Sequence, residues 1–148
     1  MELISKSVAQ TEHYAQKLAW LLKSGDIVAF RGGLGVGKTA FVRGLARGLG
    51  MDDEVSSPTF SLVHEHRGKY TLYHFDMYRI QGEDDLYATG FYDYMDGDSI
   101  LAIEWSENIE DSLPENAVVV TISVVDENTR KIVIEGDERF NEQADSWN

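Results

Sequence analysis

Gly32-Gly33-Leu34-Gly35-Val36-Gly37-Lys38-Thr39 fits the spacing G-x-x-x-x-G-K-[ST] of a phosphate-binding loop, or P-loop. Each residue type has a physical job. Glycines let the main chain approach a ligand closely. Successive amide N–H groups can then converge on phosphate oxygens, backed by the positive end of a following helix. A lysine at position 38 reaches the β- and γ-phosphates, and the Thr39 hydroxyl suits magnesium. The motif requires a buried strand before it and a helix after it. Asp26-Ile27-Val28-Ala29-Phe30-Arg31 is a short apolar run suited to that strand. In Ala40 to Leu49, Phe41, Leu45 and Leu49 recur at helical spacing, and Arg43 and Arg47 share another face. Gly44 interrupts this helix at a cost of about 1 kcal/mol relative to alanine, which points to close packing of the helix on the sheet.

Outward from this unit, residues Ser7 to Gly25 read as a helix with the apolar stripe Ala15, Leu18, Ala19 and Leu22. Ser7 with Gln10 suggests a capping box, and Thr11 is the alternative N-cap. Met51 to Ser57 is an acidic connection ending in Ser57-Pro58-Thr59-Phe60. Thr59 to His66 and Tyr70 to Asp76 read as two strands joined by the hairpin loop Arg67-Gly68-Lys69. Gly82 to Tyr94 is expected to form a short acidic helix and turn. Ile100-Leu101-Ala102-Ile103 suits a central strand covered on both sides and ends in Glu104-Trp105. Ala117 to Val125 and Lys131 to Glu135 are two further strands. The tail after Gly136 is polar and expected to fray. This order predicts one α/β domain over residues 1–148: a P-loop NTPase-like mixed sheet with flanking helices.

Composition narrows the function. The 148 residues suit one core. There is no cysteine, which excludes disulfides and a thiolate zinc site. No apolar run is long enough to span a bilayer and the N-terminus does not read as a signal peptide, so a cytoplasmic protein is expected, with no membrane partner. With 26 acidic against 13 basic residues, the net charge of −13 argues against unaided binding of nucleic acid.

A P-loop enzyme also places a carboxylate at the end of an apolar strand for the metal's water shell. Asp76 and Glu104 both stand at such ends. Thr59 follows the P-loop threonine at a distance like that of switch-loop threonines in small GTPases. The four histidines read as packed or solvated, and Tyr70, Tyr73, Phe75, Tyr78 and Trp105 read as core. Arg79 follows Asp76 closely and suits either a phosphate contact or a salt bridge. The absence of an N-K-x-D motif argues against guanine recognition.

Beyond these local readings, the ordered motifs resemble one family along almost the whole chain. They are the N-terminal helix with Thr11, the P-loop, S-P-T-F at Ser57–Phe60, H-F-D-M-Y-R at His74–Arg79, the acidic helix with Gly90, and I-E-W at Ile103–Trp105. The chain is similar to the TsaE (YjeE) ATPases, which act in the threonylcarbamoyl modification of tRNA adenosine next to the anticodon. The resemblance implies that ATP is bound by Lys38 with the loop residues Gly33, Leu34, Gly35, Val36, Gly37, Thr39 and Ala40. It implies that Thr39 and Glu104 serve magnesium, with Asp76 beside the metal or the attacking water. Thr59 would be a switch residue, and Thr11 would touch the base or ribose edge. Arg130 is placed at the border of the base on no motif of its own. The implied partners are TsaD and TsaB, with tRNA reached only through their complex. Turnover is expected to be slow alone and faster with partners. A small P-loop kinase and a nucleotide-gated interaction module are the alternative readings.

Overall fold

The structure is a computed structural model that describes residues 1–32, 36–51, 63–95, 97–141 and 144–147. Seven strands form one sheet in the order β1-β7-β6-β2-β5-β4-β3. They are β1 (Glu2–Ser5), β2 (Ile27–Arg31), β3 (Val63–Arg67), β4 (Thr71–Asp76), β5 (Ile100–Glu104), β6 (Val118–Val124) and β7 (Arg130–Glu135). β2 lies at the centre, parallel to β5 and β6, and β4 runs parallel to β5. The outer pairs β1–β7, β6–β7 and β3–β4 are antiparallel, so the sheet is mixed as expected. Every residue of β5 is buried, as are four of the five in β2. Strands covered on both faces read as unbroken apolar runs, which is why these two stand out in the sequence.

Helices α1 (Val8–Ala19) and α2 (Lys38–Gly48) cover one face. There Tyr14, Leu18, Phe41 and Leu45 join Phe30, Leu72, Ala102 and Ile122 in the larger core. Helices α3 (Glu83–Ala88) and α4 (Phe91–Met95), with the 3-10 segment Ser106–Ser112, cover the β4–β5 half of the other face. Leu86, Phe91 and Ile109 pack there on Phe75, Leu101 and Ile103.

Ser7, not Thr11, caps α1: its hydroxyl accepts the Gln10 N–H at 3.0 Å. The Gln10 side chain returns to the Lys6 N–H at 2.7 Å, one residue before the cap. The helix ends at Ala19, and Gly25 lies in the turn before β2. Gly44 and Gly48 pack against α1, which corrects the expectation that Gly44 faces the sheet. A Cβ at Gly44 would stand 2.4 Å from the Glu12 carbonyl oxygen, and one at Gly48 2.5 Å from the Ala19 Cβ. Beside this seam Glu12 accepts from Arg43 at 2.9 Å and Arg47 at 2.5 Å.

Two further features depart from the sequence expectations. The first strand was not foreseen: four residues with Leu3 alone deeply apolar leave little periodicity to read. Its pairing with β7 and the Tyr14 hydroxyl donating to the Ile4 carbonyl at 3.1 Å hold it. The expected fraying tail is instead docked. Phe140 and Trp147 are 1% and 2% exposed within the larger core. Arg139 donates to both Asp26 oxygens, at 2.8 and 3.1 Å, and to the Leu21 carbonyl. A polar composition concealed two aromatic anchors and one arginine clamp. The strand expected from Thr59 begins at Val63 within the described residues, and Thr59 itself lies outside them.

Candidate active site

The chemistry-bearing side chains meet at the carboxyl ends of β2, β4 and β5. Gly37 caps α2 with φ 112°, a left-handed conformation that glycine adopts without strain. Nothing lies within 4 Å of where its Cβ would be, so the first turn of α2 has open space before it. An α-helix leaves its first amide N–H groups unbonded within the helix, and its dipole favours an anion there. Thr39 and Ala40 in that turn are half-buried. Gly33, Leu34 and Gly35 lie outside the described residues.

Lys38 is 5% exposed. Its Nζ donates to the Gly32 carbonyl at 3.0 Å and stands 4.0 Å from the centre of the Trp105 ring. Burial pushes the Lys38 ammonium below the usual lysine value, against the opposing pull of Glu104, Glu107 and Asp76. Trp105 has φ 59°, the one positive value outside glycine among the described residues. Such a conformation costs about 1–2 kcal/mol. Its ring also meets Tyr78 at 4.9 Å. Tyr78 is 56% exposed and is not core, Phe75 is core, and Trp105 is half-buried against it. Tyr70 and Tyr73 are half-buried at the core's edge.

Asp76 and Glu104 are partners in the parallel β4–β5 register. Paired residues share a sheet face, so the two carboxylates stand side by side on the face that carries α2. Asp76 is half-buried, and its Oδ1 accepts the Tyr78 N–H at 2.9 Å. Glu104 is 5% exposed, and its Oε2 lies 2.5 Å from His74 Nε2. Next to them, the Ser106 hydroxyl donates to the Phe30 carbonyl at 2.9 Å, tying the end of β5 to β2. Thr39, Asp76 and Glu104 offer hard oxygen donors, the class that magnesium takes. Among the described residues no three His, Cys, Asp or Glu side chains form a metal cage. Magnesium does not require one, since it keeps waters and binds substrate phosphates. The donors present therefore fit that ion.

A cavity of about 370 Å³ opens beside the N-terminus of α2. Thr11, Val36, Gly37, Ala40 and Arg130 line it together, with Lys6 and Asn128 at its wall. Arg130 Nε donates to the Val36 carbonyl at 3.2 Å, while Nη1 donates to the carbonyls of Asp126, Glu127 and Thr129. The guanidinium thus ties the β6–β7 turn to the loop before α2. The Thr11 hydroxyl shares a 2.6 Å hydrogen bond with Ser5. The structure therefore gathers Lys38, Thr39, Asp76 and Glu104 at one place and Thr11, Val36, Gly37, Ala40 and Arg130 at the adjoining one. Thr59 lies outside the described residues, and Arg79 is exposed with no ion pair among them. Sequence reasoning passed over His74 and Trp105 as functional residues. The available signals were position: His74 shares a strand face with Asp76, and Trp105 directly follows Glu104.

The family model for the threonylcarbamoyl adenosine biosynthesis protein TsaE matches residues 5–132. The tRNA threonylcarbamoyladenosine biosynthesis protein TsaE of Treponema pallidum is 37% identical over 134 residues, covering 90% of this chain and 99% of that protein. The protein of the same name from Aquifex aeolicus is 38% identical over 136 residues, covering 90% and 94%. Among solved structures, Bacillus subtilis YdiB superposes with a TM-score of 0.78 at 30% identity, covering 95% of this chain and 88% of that one. With the P-loop, the paired strand-end acids and this likeness over most of the chain in agreement, the chain belongs to the TsaE family of tRNA threonylcarbamoyladenosine biosynthesis proteins.

Proposed function

We propose that this protein is a magnesium-dependent ATPase that works in a cytoplasmic complex with TsaD and TsaB during threonylcarbamoyl modification of tRNA. The observation that carries the reading is the register pair Asp76–Glu104 beside Lys38 at the start of α2. Phosphoryl transfer to water is mostly positioning and charge stabilisation, and these groups supply both. Lys38 exchanges its contact with Gly32 for the phosphates of ATP. Bound magnesium supplies neutralisation of charge at the β–γ bridge. Thr39 and Glu104 would hold that ion, and Asp76 would lie beside it or orient the attacking water. The cavity lined by Thr11 and Arg130 takes the base and ribose.

Partner dependence follows from two features. Arg31 is engaged by Glu110 and so is not offered to a phosphate, and Arg79 is exposed rather than packed into the site. An arginine supplied from outside a P-loop protein accelerates hydrolysis by about 10³–10⁵. The acidic chain, with its net charge of −13, reaches tRNA only through the complex. Among the described residues, no helix is long and apolar enough to cross a membrane.

The test is magnesium-dependent ATP hydrolysis by the wild type and Lys38→Ala, each with and without TsaB and TsaD. Slow hydrolysis that the partners stimulate, and that vanishes in Lys38→Ala, is the expected result. Tight ATP binding without hydrolysis in either condition would replace the ATPase with a nucleotide-gated interaction module. Rapid hydrolysis by the isolated chain, at tens per second, would remove the partner dependence.

A further inference from the structure

We infer that His74 is a positioning residue for the magnesium-side carboxylate, fixing Glu104 in the orientation that the ion requires. The inference rests on the ATPase reading above and adds a residue to it. His74 is 0% exposed and sits two residues before Asp76 on the same face of β4. Its register partner is Ala102, two residues before Glu104 on β5. The small Ala102 side chain leaves the imidazole beside Glu104, where Nε2 meets Oε2 at 2.5 Å. Among the described residues this is the one hydrogen bond to the Glu104 carboxylate. Lys38 is held by Gly32 and Trp105 instead. A buried carboxylate without a hydrogen-bond partner is costly, so the His74 bond is what holds Glu104 in place. With Oε2 held, Oε1 is left for the ligand.

The other ring nitrogen shows that packing alone does not account for this histidine. His74 Nδ1 is buried with no hydrogen-bond partner among the described residues. A buried, unsatisfied polar atom destabilises a fold. An apolar side chain such as Leu72, which lies on the same face two residues earlier, would avoid that cost. The imidazole Nε2 is paired with Glu104 Oε2, and residues in this position behind a metal ligand set its orientation.

The experiment compares His74→Leu, His74→Gln and His74→Asn with the wild type. ATP affinity is titrated in EDTA and across a magnesium series, alongside the magnesium dependence of hydrolysis. A glutamine amide reaches about as far as Nε2, and an asparagine amide only about as far as Nδ1. His74→Leu is expected to keep the wild-type affinity in EDTA and to require about 10–100-fold more magnesium. His74→Gln is expected to recover most of the loss and His74→Asn little of it. An unchanged magnesium midpoint in His74→Leu overturns the inference, as does equal loss in the glutamine and asparagine variants. Loss of ATP affinity in EDTA, matching the loss in magnesium, also overturns it. If His74→Leu does not fold, the glutamine–asparagine contrast decides alone. A wild type whose affinity ignores magnesium would sink the magnesium reading and this assignment together; failure confined to the variants sinks only the assignment.

Discussion

The two ends of β2 each hold buried charge, and they handle it differently. Asp26, 8% exposed, stands just before the strand. Its Oδ2 accepts from the Lys23 N–H and from Arg139, both at 2.8 Å, and its Oδ1 accepts from Arg139 at 3.1 Å. That end closes on itself. At the other end Lys38 and Glu104 are each 5% exposed, yet neither bonds the other. The lysine rests on a backbone carbonyl and an aromatic ring, and the carboxylate has one histidine. Hydrogen-bonding capacity is left open where the proposed nucleotide would enter. Buried charge that is saturated holds a fold together, whereas buried charge left under-bonded marks a place built for something else.

Substitution at each end should separate these roles. The largest effect is expected from Lys38→Ala: ATP hydrolysis falls by about 10²–10³-fold, the scale of losing one preorganised electrostatic donor. Its thermal midpoint should not fall, because a desolvated cation has been removed. A melt as damaged as that of an Asp26 variant would break the contrast. Asp26→Ala should do the reverse, costing about 3 kcal/mol in urea unfolding, the lower end for breaking a buried pair. Hydrolysis per folded molecule should be unchanged. Between the two ends, Gly44→Ala pushes a methyl into the Glu12 carbonyl and should cost about 1–3 kcal/mol. Its hydrolysis per folded molecule should again match the wild type.

The smallest effect is in pH dependence, where the two ends should act in separate pH windows, one acid and one alkaline. Arg139 holds the Asp137 carboxyl below the usual aspartate value. A depressed carboxyl stabilises the fold above its unfolded value and loses that contribution as pH falls through the folded one. Asp137→Asn should therefore flatten the melting profile below about pH 4. Burial lowers the Lys38 value, so the unfolded chain binds that proton more tightly and stability rises as pH climbs through the folded value. Lys38→Met should flatten the alkaline limb instead. Identical profiles for both variants would remove this distinction between the ends.

Local pattern alone determined much of the molecule. The apolar run before Gly32 and the helical spacing after Lys38 specify β2 and α2, because both are periodicities of adjacent residues. The Ser7 cap is likewise local, as are the β5 strand and the placing of Asp76 and Glu104 at strand ends. The tertiary structure decided what depends on residues distant in the chain. Register alone puts Asp76 beside Glu104 and sets His74 against the Glu104 carboxylate. The fit of α1 on α2 explains Gly44, and its reason is a contact with Glu12, 32 positions away in the chain. β1 exists through its pairing with β7, and the tail is ordered by Asp26 and by the core that receives Phe140 and Trp147. Each of these is a contact made only after the chain has closed, so no window of neighbouring residues carries its signal.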